Sequence, residues 1–229
     1  MTGFLDSPGR DAEGFWAEVT GSALSARRDG GRFATLVPAE GDAFLRVQIV
    51  DDGPPGGHLD FHVADVAAAA AEAREAGASV VSSADGLVVC RSPAGLAFCL
   101  VGWQGERVVP PPVRGSVVDQ MCLDVPVADF DGELRFWAAL AGWEPVSSDL
   151  GEFERLVRAP GQPLQLLFQR VGGSTPGMHV DLAAEDPAAT VAWHESLGAT
   201  VVRRRPGQWT TLRDPAGRDY CVTHRRPSS

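Results

Sequence analysis

Four cysteines, Cys90, Cys99, Cys122 and Cys221, are spread through 229 residues, and no two stand in a CxxC pair. They are too few and too dispersed for a disulfide scaffold, and they leave no zinc-knuckle spacing. Reduced, buried thiols are expected. Basic residues are also scarce: 20 Lys and Arg face 30 Asp and Glu, for a formal net charge of −10. So acidic a chain lacks the footprint that nucleic acid or anionic lipid requires, and neither is expected as a partner. The local exceptions are Arg203–Arg205 and Arg225–Arg226. Short runs of this kind read as a solvated strand end and a solvated tail, with an anion-binding patch as the alternative. No stretch nears the roughly 18 apolar residues of a membrane span. The opening "MTGFLDSPGRDAEGF" has neither the basic nor the long apolar region of a secretory leader, so a cytoplasmic location is expected. GxGxxG, P-loop and GxSxG signatures are absent.

What is present is a duplication. "FWAEVTG" at 15–21 matches "FWAALAG" at 136–142, and "RFATLV" at 32–37 matches "EFERLV" at 152–157. "GASVV" at 77–81 matches "GATVV" at 198–202, and "SPAGLAFCL" at 92–100 matches "DPAGRDYCV" at 214–222. So many matches in one order mark a tandem repeat. The Pro-rich "VVPPPVRG", residues 108–115, reads as a linker between a first domain, 1–107, and a second, 116–229. Hydrophobic residues make up 44% of the chain, enough for a core in each half.

Within the second half, "DQMCLDVP" reads as a strand and "DFDGELRFWAALAGW" as a helix; "EFERLVRAP" and "PLQLLFQRV" read as strands around a turn. The cycle restarts with "MHVDLAAED", then a helix from Pro187 to Gly198, then three strands. The chain is thus an α+β protein of four βαβββ modules, with mixed, largely antiparallel sheets. Alternation puts Val180 and Leu182 on one face and His179 and Asp181 on the other. Gln120, Cys122 and Asp124 share a face, as do Gln165, Leu167 and Gln169, and Asp219, Cys221 and Thr223. A curved sheet with one greasy and one mixed face makes a cup suited to a small molecule.

These modules, together with "FWAAL", "GMHVDL", "SLGATVV" and "DPAG", resemble the vicinal oxygen chelate superfamily, the glyoxalase I and bleomycin-resistance fold. The resemblance implies two glyoxalase-like domains, and the Ala/Gly/Arg-rich composition fits a high-GC bacterial source. It also implies a metal place inside each cup, with ligands from the first, fourth, fifth and eighth strands of a domain. Carried onto this sequence, those places are Gln120, Gln169 or Gln165, His179, and Cys221 where a Glu is expected. In the first half they are Thr2, Gln48, His58 and Cys99. Without the carboxylate, Gln120, His179 and Cys221 are weak metal candidates, and no cofactor is expected, a divalent metal being the alternative. The expected function is binding or sequestration of a small ligand, including aromatic ones, in a pocket of Gln120, Gln169, His179, Asp181, Trp209 and Cys221. The alternative is a metal-dependent lyase, isomerase or ring-cleaving dioxygenase using Gln120 and His179. A third reading is an interaction module whose cups are filled by their own side chains. Catalytic residues are not assigned. Trp16 and Trp137 are expected in the core, His194 at a partly exposed helix position, and His62 and His224 in solvent or cap roles. A monomer or a homodimer is expected. The sequence leaves open whether each cup forms within one half or by exchange of modules.

Overall fold

The computed structural model describes residues 1–51 and 53–227. The first half runs β1 (Thr2–Ser7), α1 (Glu13–Thr20), β2 (Ser22–Leu24), β3 (Phe33–Pro38), β4 (Leu45–Ile49), β5 (Gly56–Val63), α2 (Val66–Glu75), β6 (Ser79–Ala84), β7 (Leu87–Arg91) and β8 (Ala97–Gly102). The second half repeats it: β9 (Ser116–Pro126), α3 (Phe130–Ala141), β10 (Pro145–Ser147), β11 (Phe153–Leu156), β12 (Gln165–Val171), β13 (Gly177–Ala184), α4 (Pro187–Ser196), β14 (Thr200–Arg205), β15 (Trp209–Arg213) and β16 (Asp219–Thr223). Helix starts follow the sequence chemistry: Asp65 and Asp186 cap α2 and α4 by accepting from Ala68 and Ala189 N–H. Gly21 and Gly142 end α1 and α3 at φ 58° and 66°, where a side chain would be strained.

Each half forms one open eight-stranded sheet, ordered β2-β3-β4-β1-β5-β8-β7-β6 and β10-β11-β12-β9-β13-β16-β15-β14. The two modules of a half meet where β1 runs antiparallel to β5, and β9 to β13. Each cup is therefore built within one half. Gln120 shares a sheet with His179 and Cys221 rather than with His58 and Cys99.

The alternation holds. Met121, Leu123, Val125, Val180 and Leu182 are buried on the helix side. The helices behind the sheets reach across the halves. Trp16 of α1 packs on Tyr220 of β16 (ring centroids 5.1 Å apart), and Trp137 of α3 packs on Phe61 and Phe98 (5.5 and 5.3 Å). Both tryptophans are fully buried, as expected of core residues. One hydrophobic core spans both halves.

Two histidines depart from the sequence reading. His194 is buried rather than partly exposed: it lies beneath α4 against Phe15 and hydrogen-bonds the Tyr220 hydroxyl at 3.0 Å. The inter-half packing of α1 closes over it, and a single-helix pattern cannot show that. His62 is also sequestered, between Thr2 Oγ1 (2.8 Å) and Glu106 (3.1 Å). No helix among the described residues is long and apolar enough to cross a membrane.

Candidate functional site

Residues directly paired across strands share a face. In the second half one such row reads Arg155–Leu167–Cys122–His179, and the next Gln165–Gln120–Asp181–Cys221–Thr211–Arg203. These rows line the concave side and enclose a cavity of about 1000 Å³. Gln120, Gln169, His179, Asp181, Trp209 and Cys221 all border it, with Cys122, Asp124, Phe153, Arg155, Leu167 and Arg203. Gln165 does not; its side-chain amide turns to the Leu156 and Leu166 carbonyls. Of the two fourth-strand candidates, Gln169 is the one that faces the cavity.

Arg203 reaches the cavity because of a bulge. Strict alternation would put Val201 and Arg203 on one face. The register slips between them, so Val201 turns to the core side and Arg203 to the cup. Among the described residues neither Arg155 nor Arg203 pairs with a carboxylate, and both are exposed at the rim. Arg225, also at the rim, is held by both Asp119 oxygens at 2.6 and 2.8 Å.

At the floor, the His179 Nδ1 bonds Asp124 Oδ2 at 2.9 Å. Its Nε2 lies 3.3 Å from Asp181 Oδ1 and 3.9 Å from Cys221 Sγ. Burial works against a charged imidazole, but the adjoining Cys122 sulfur and the Asp124 and Asp181 carboxylates outweigh it and raise the His179 pKa well above the ordinary value. Burial pushes the Cys122 thiol up to about 12; burial and then Asp181 raise that of Cys221. A thiol whose pKa burial raises lacks the activation that a Cys–His nucleophile requires.

The carboxylate that the eighth strand lacks is supplied elsewhere. Asp181 stands two residues along β13 from His179, and Asp124 comes from β9. Cys122, His179 and Asp181 offer ligand atoms that all lie within 4.8 Å of one another. A corresponding group, His58, Asp60 and Cys99, stands in the first half. The sulfur, nitrogen and oxygen donors of Cys122, His179 and Asp181 fit a borderline divalent ion such as zinc. With Asp124 on Nδ1, Nε2 is the nitrogen left to face an ion. A single histidine does not make the two-His, one-carboxylate set of non-haem iron.

The first cup has the same floor with different contents. Asp6, His58, Asp60 and Cys99 take the places of Asp124, His179, Asp181 and Cys221, but Phe4 stands for Cys122 and Arg46 for Leu167. Phe4 is buried and stacks on His58 with ring centroids 4.1 Å apart. Arg46 lies over Phe4 and reaches Asp60 at 3.4 Å. Thr35 and Ser82 stand where the second half has Arg155 and Arg203. Buried polar atoms without a hydrogen bond include Asp6 Oδ1 and Arg46 Nε in the first cup and Asp181 Oδ1 in the second.

A glyoxalase-like domain family model matches residues 4–101 and again 120–223. No curated protein matches the chain. Among solved structures, a triple mutant of 4-hydroxymandelate synthase from Streptomyces coelicolor is 15% identical, with a TM-score of 0.61, over 100% of this chain and 93% of that one. A catechol 2,3-dioxygenase is 16% identical with a TM-score of 0.62, over 100% and 88%. A variant of homoprotocatechuate 2,3-dioxygenase from B. fuscum is 14% identical with a TM-score of 0.68, over 99% and 70%. At these identities the likeness is one of fold.

Proposed function

The chain belongs to the glyoxalase-like domain family, and from that premise we propose that it is a small-molecule-binding protein whose ligand occupies the second-half cup. The contrast between the two cups carries this reading. The first is covered from within by Phe4 and Arg46, whereas the second keeps a cavity of about 1000 Å³, the size of a ligand site. Gln120, Gln169, His179, Asp181, Trp209 and Cys221 are its proposed contacts. Phe153 and Trp209, edge to face at 5.5 Å, offer an aromatic flank. A cytoplasmic location and a monomer or homodimer complete the proposal.

The test is a tryptophan-fluorescence and thermal-shift screen of the full chain against aromatic and drug-like compounds. Ligands that shift the wild type and fail to shift Trp209→Ala support the reading. A broad panel without a single shift ends it.

The Cys122–His179–Asp181 group favours a second reading, a metal-dependent enzyme of the family (a lyase, isomerase or ring-cleaving dioxygenase) with Gln120 beside the ion. Bound there, zinc would supply a Lewis acid for a carbonyl or a water. Metal analysis of protein purified without chelators separates the readings. Near-stoichiometric metal, lost in His179→Ala and in Cys122→Ala, overturns the metal-free one.

A further inference from the structure

We propose that the ligand of the second cup is a zwitterion that places a cationic group on Asp181 and an anionic group between Arg155 and Arg203. The inference rests on the binding reading above and names its ligand class.

The inward end follows from Asp181. The residue is 4% exposed and borders the cavity, and its Oδ1 makes no aligned hydrogen bond, the nearest donor being His179 Nε2 at 3.3 Å. A buried carboxylate oxygen left in that state carries a desolvation cost that a donor from the ligand would relieve. His179 stands between two carboxylates, Asp124 at 2.9 Å on Nδ1 and Asp181 at 3.3 Å on Nε2, and so does not serve Asp181 alone. The first cup supplies the comparison. There Asp60, in the same register position, faces the Arg46 guanidinium at 3.4 Å. In the second cup Leu167 occupies the place of Arg46 and brings no charge. The guanidinium that the chain places on this carboxylate in the first cup has no counterpart in the second, where the neighbour is His179 Nε2 at 3.3 Å, against 3.8 Å for His58 in the first.

The outward end follows from the rim. Arg155 and Arg203 come from opposite walls of the cup, and among the described residues neither has a carboxylate partner. The other rim arginines are engaged: Arg225 by Asp119 and Arg170 by Glu154. In a chain of net charge −10, two unpaired cations over one cavity form a local anion site. The first half, whose cup carries Phe4 and Arg46, has Thr35 and Ser82 at those places. An open cavity, a buried acid without an arginine partner and rim arginines without carboxylate partners thus occur together in the second half. Three strand spacings of about 4.8 Å separate β13 from either arginine's strand. Curvature and the arginines' own length shorten that to a ligand of roughly 6–10 Å between its charges. Leu167, Phe153 and Trp209 suit a planar apolar body between the two ends.

The test is calorimetric titration of the full chain with 4-(aminomethyl)benzoate, benzylamine and 4-methylbenzoate. The zwitterion is expected to bind at least tenfold more tightly than either singly charged probe. Arg155→Gln with Arg203→Gln, both exposed and chosen to leave the fold intact, should reduce it to the level of benzylamine. Asp181→Asn should reduce it to that of 4-methylbenzoate. Should Asp181→Asn fail to fold, Leu167→Arg, which supplies the cation from within as Arg46 does, should remove the preference for the amine. Equal binding of the three probes, indifference to these variants, or zinc alone occupying Asp181 overturns the proposal. No binding by any of the three overturns it as well, and the wider fluorescence screen then decides separately whether the cup binds other molecules.

Discussion

Trp16 donates its indole N–H to Asp214 at 2.8 Å, joining the first helix of the first half to the last turn of the second. Asp214 also holds Arg218 at 2.8 Å, and Arg218 bonds the Gly56 carbonyl, Ser7 Oγ and the Asp6 carbonyl of the first half. The other half reverses the parts. Glu133, on α3, accepts from Trp137 Nε1 at 2.7 Å and from the Ala94 N–H of the "SPAG" turn at 2.9 Å. One half keeps its carboxylate in the turn opposite Ala12; the other keeps it on the helix opposite Ser92. Each interface holds a single buried acid beside the tryptophan.

The halves should therefore unfold together. Trp16→Phe removes a hydrogen bond to a charged acceptor and is expected to cost about 2 kcal/mol. Arg218→Met leaves Asp214 buried without its cation and should cost about 3–5 kcal/mol. Urea denaturation followed by tryptophan fluorescence and by far-UV circular dichroism checks both. Two separated transitions, or an Arg218→Met loss below about 1 kcal/mol, would show that the interface does not couple the halves.

Acid should weaken the fold through His194. Burial holds its pKa down to about 4, against 6.5 for the free side chain. The unfolded chain takes up the proton first, so this stability is complete above about pH 6.5 and is lost as pH falls toward 4. Two and a half pKa units at about 1.4 kcal/mol each bound the effect at about 3 kcal/mol, of which about 2 should be gone by pH 5. His194→Gln keeps a partner for Tyr220 without a titrating ring and should flatten this part of the profile. Urea midpoints of both proteins at pH 7 and pH 5 decide it; parallel losses in the two would remove His194 as the cause.

The repeats made the fold legible. Four strand–helix–strand cycles, the helix that Pro187 opens and the matched "SPAG" and "DPAG" turns all reappear in the structure, and His179 and Asp181 share the face that period-two alternation assigns. The decisive features of the cups were not legible, because they depend on which residues meet across strands. Phe4 over His58, and Arg46 on Asp60, are pairings between modules, and the sequence could not say which modules pair. Arg203 read as part of a solvated run because alternation assumes an unbroken ladder, and the bulge after Val201 turns it inward. His194 looked exposed because the helix that covers it belongs to the other half.

The difference between the cups can be transplanted. Cys122→Phe with Leu167→Arg gives the second cup the two residues that occupy the first. The new Phe should stack on His179 as Phe4 does on His58, where the rings are 4.1 Å apart and 21° from parallel. The new Arg should pair with Asp181 as Arg46 does with Asp60. Placing a ring in a packed core costs about 1–3 kcal/mol, but here the side chains enter a cavity of about 1000 Å³. Satisfying the Asp181 oxygen returns about 1–3 kcal/mol. Such a gain raises the midpoint of a domain this large by roughly 2–4 °C per kcal/mol. The double variant is therefore expected to melt at or a few degrees above the wild type, and to lose every ligand response found in the wild-type screen. A thermal melt with and without those ligands measures both. An unchanged ligand-induced shift in a folded double variant would place the binding site outside the second cup.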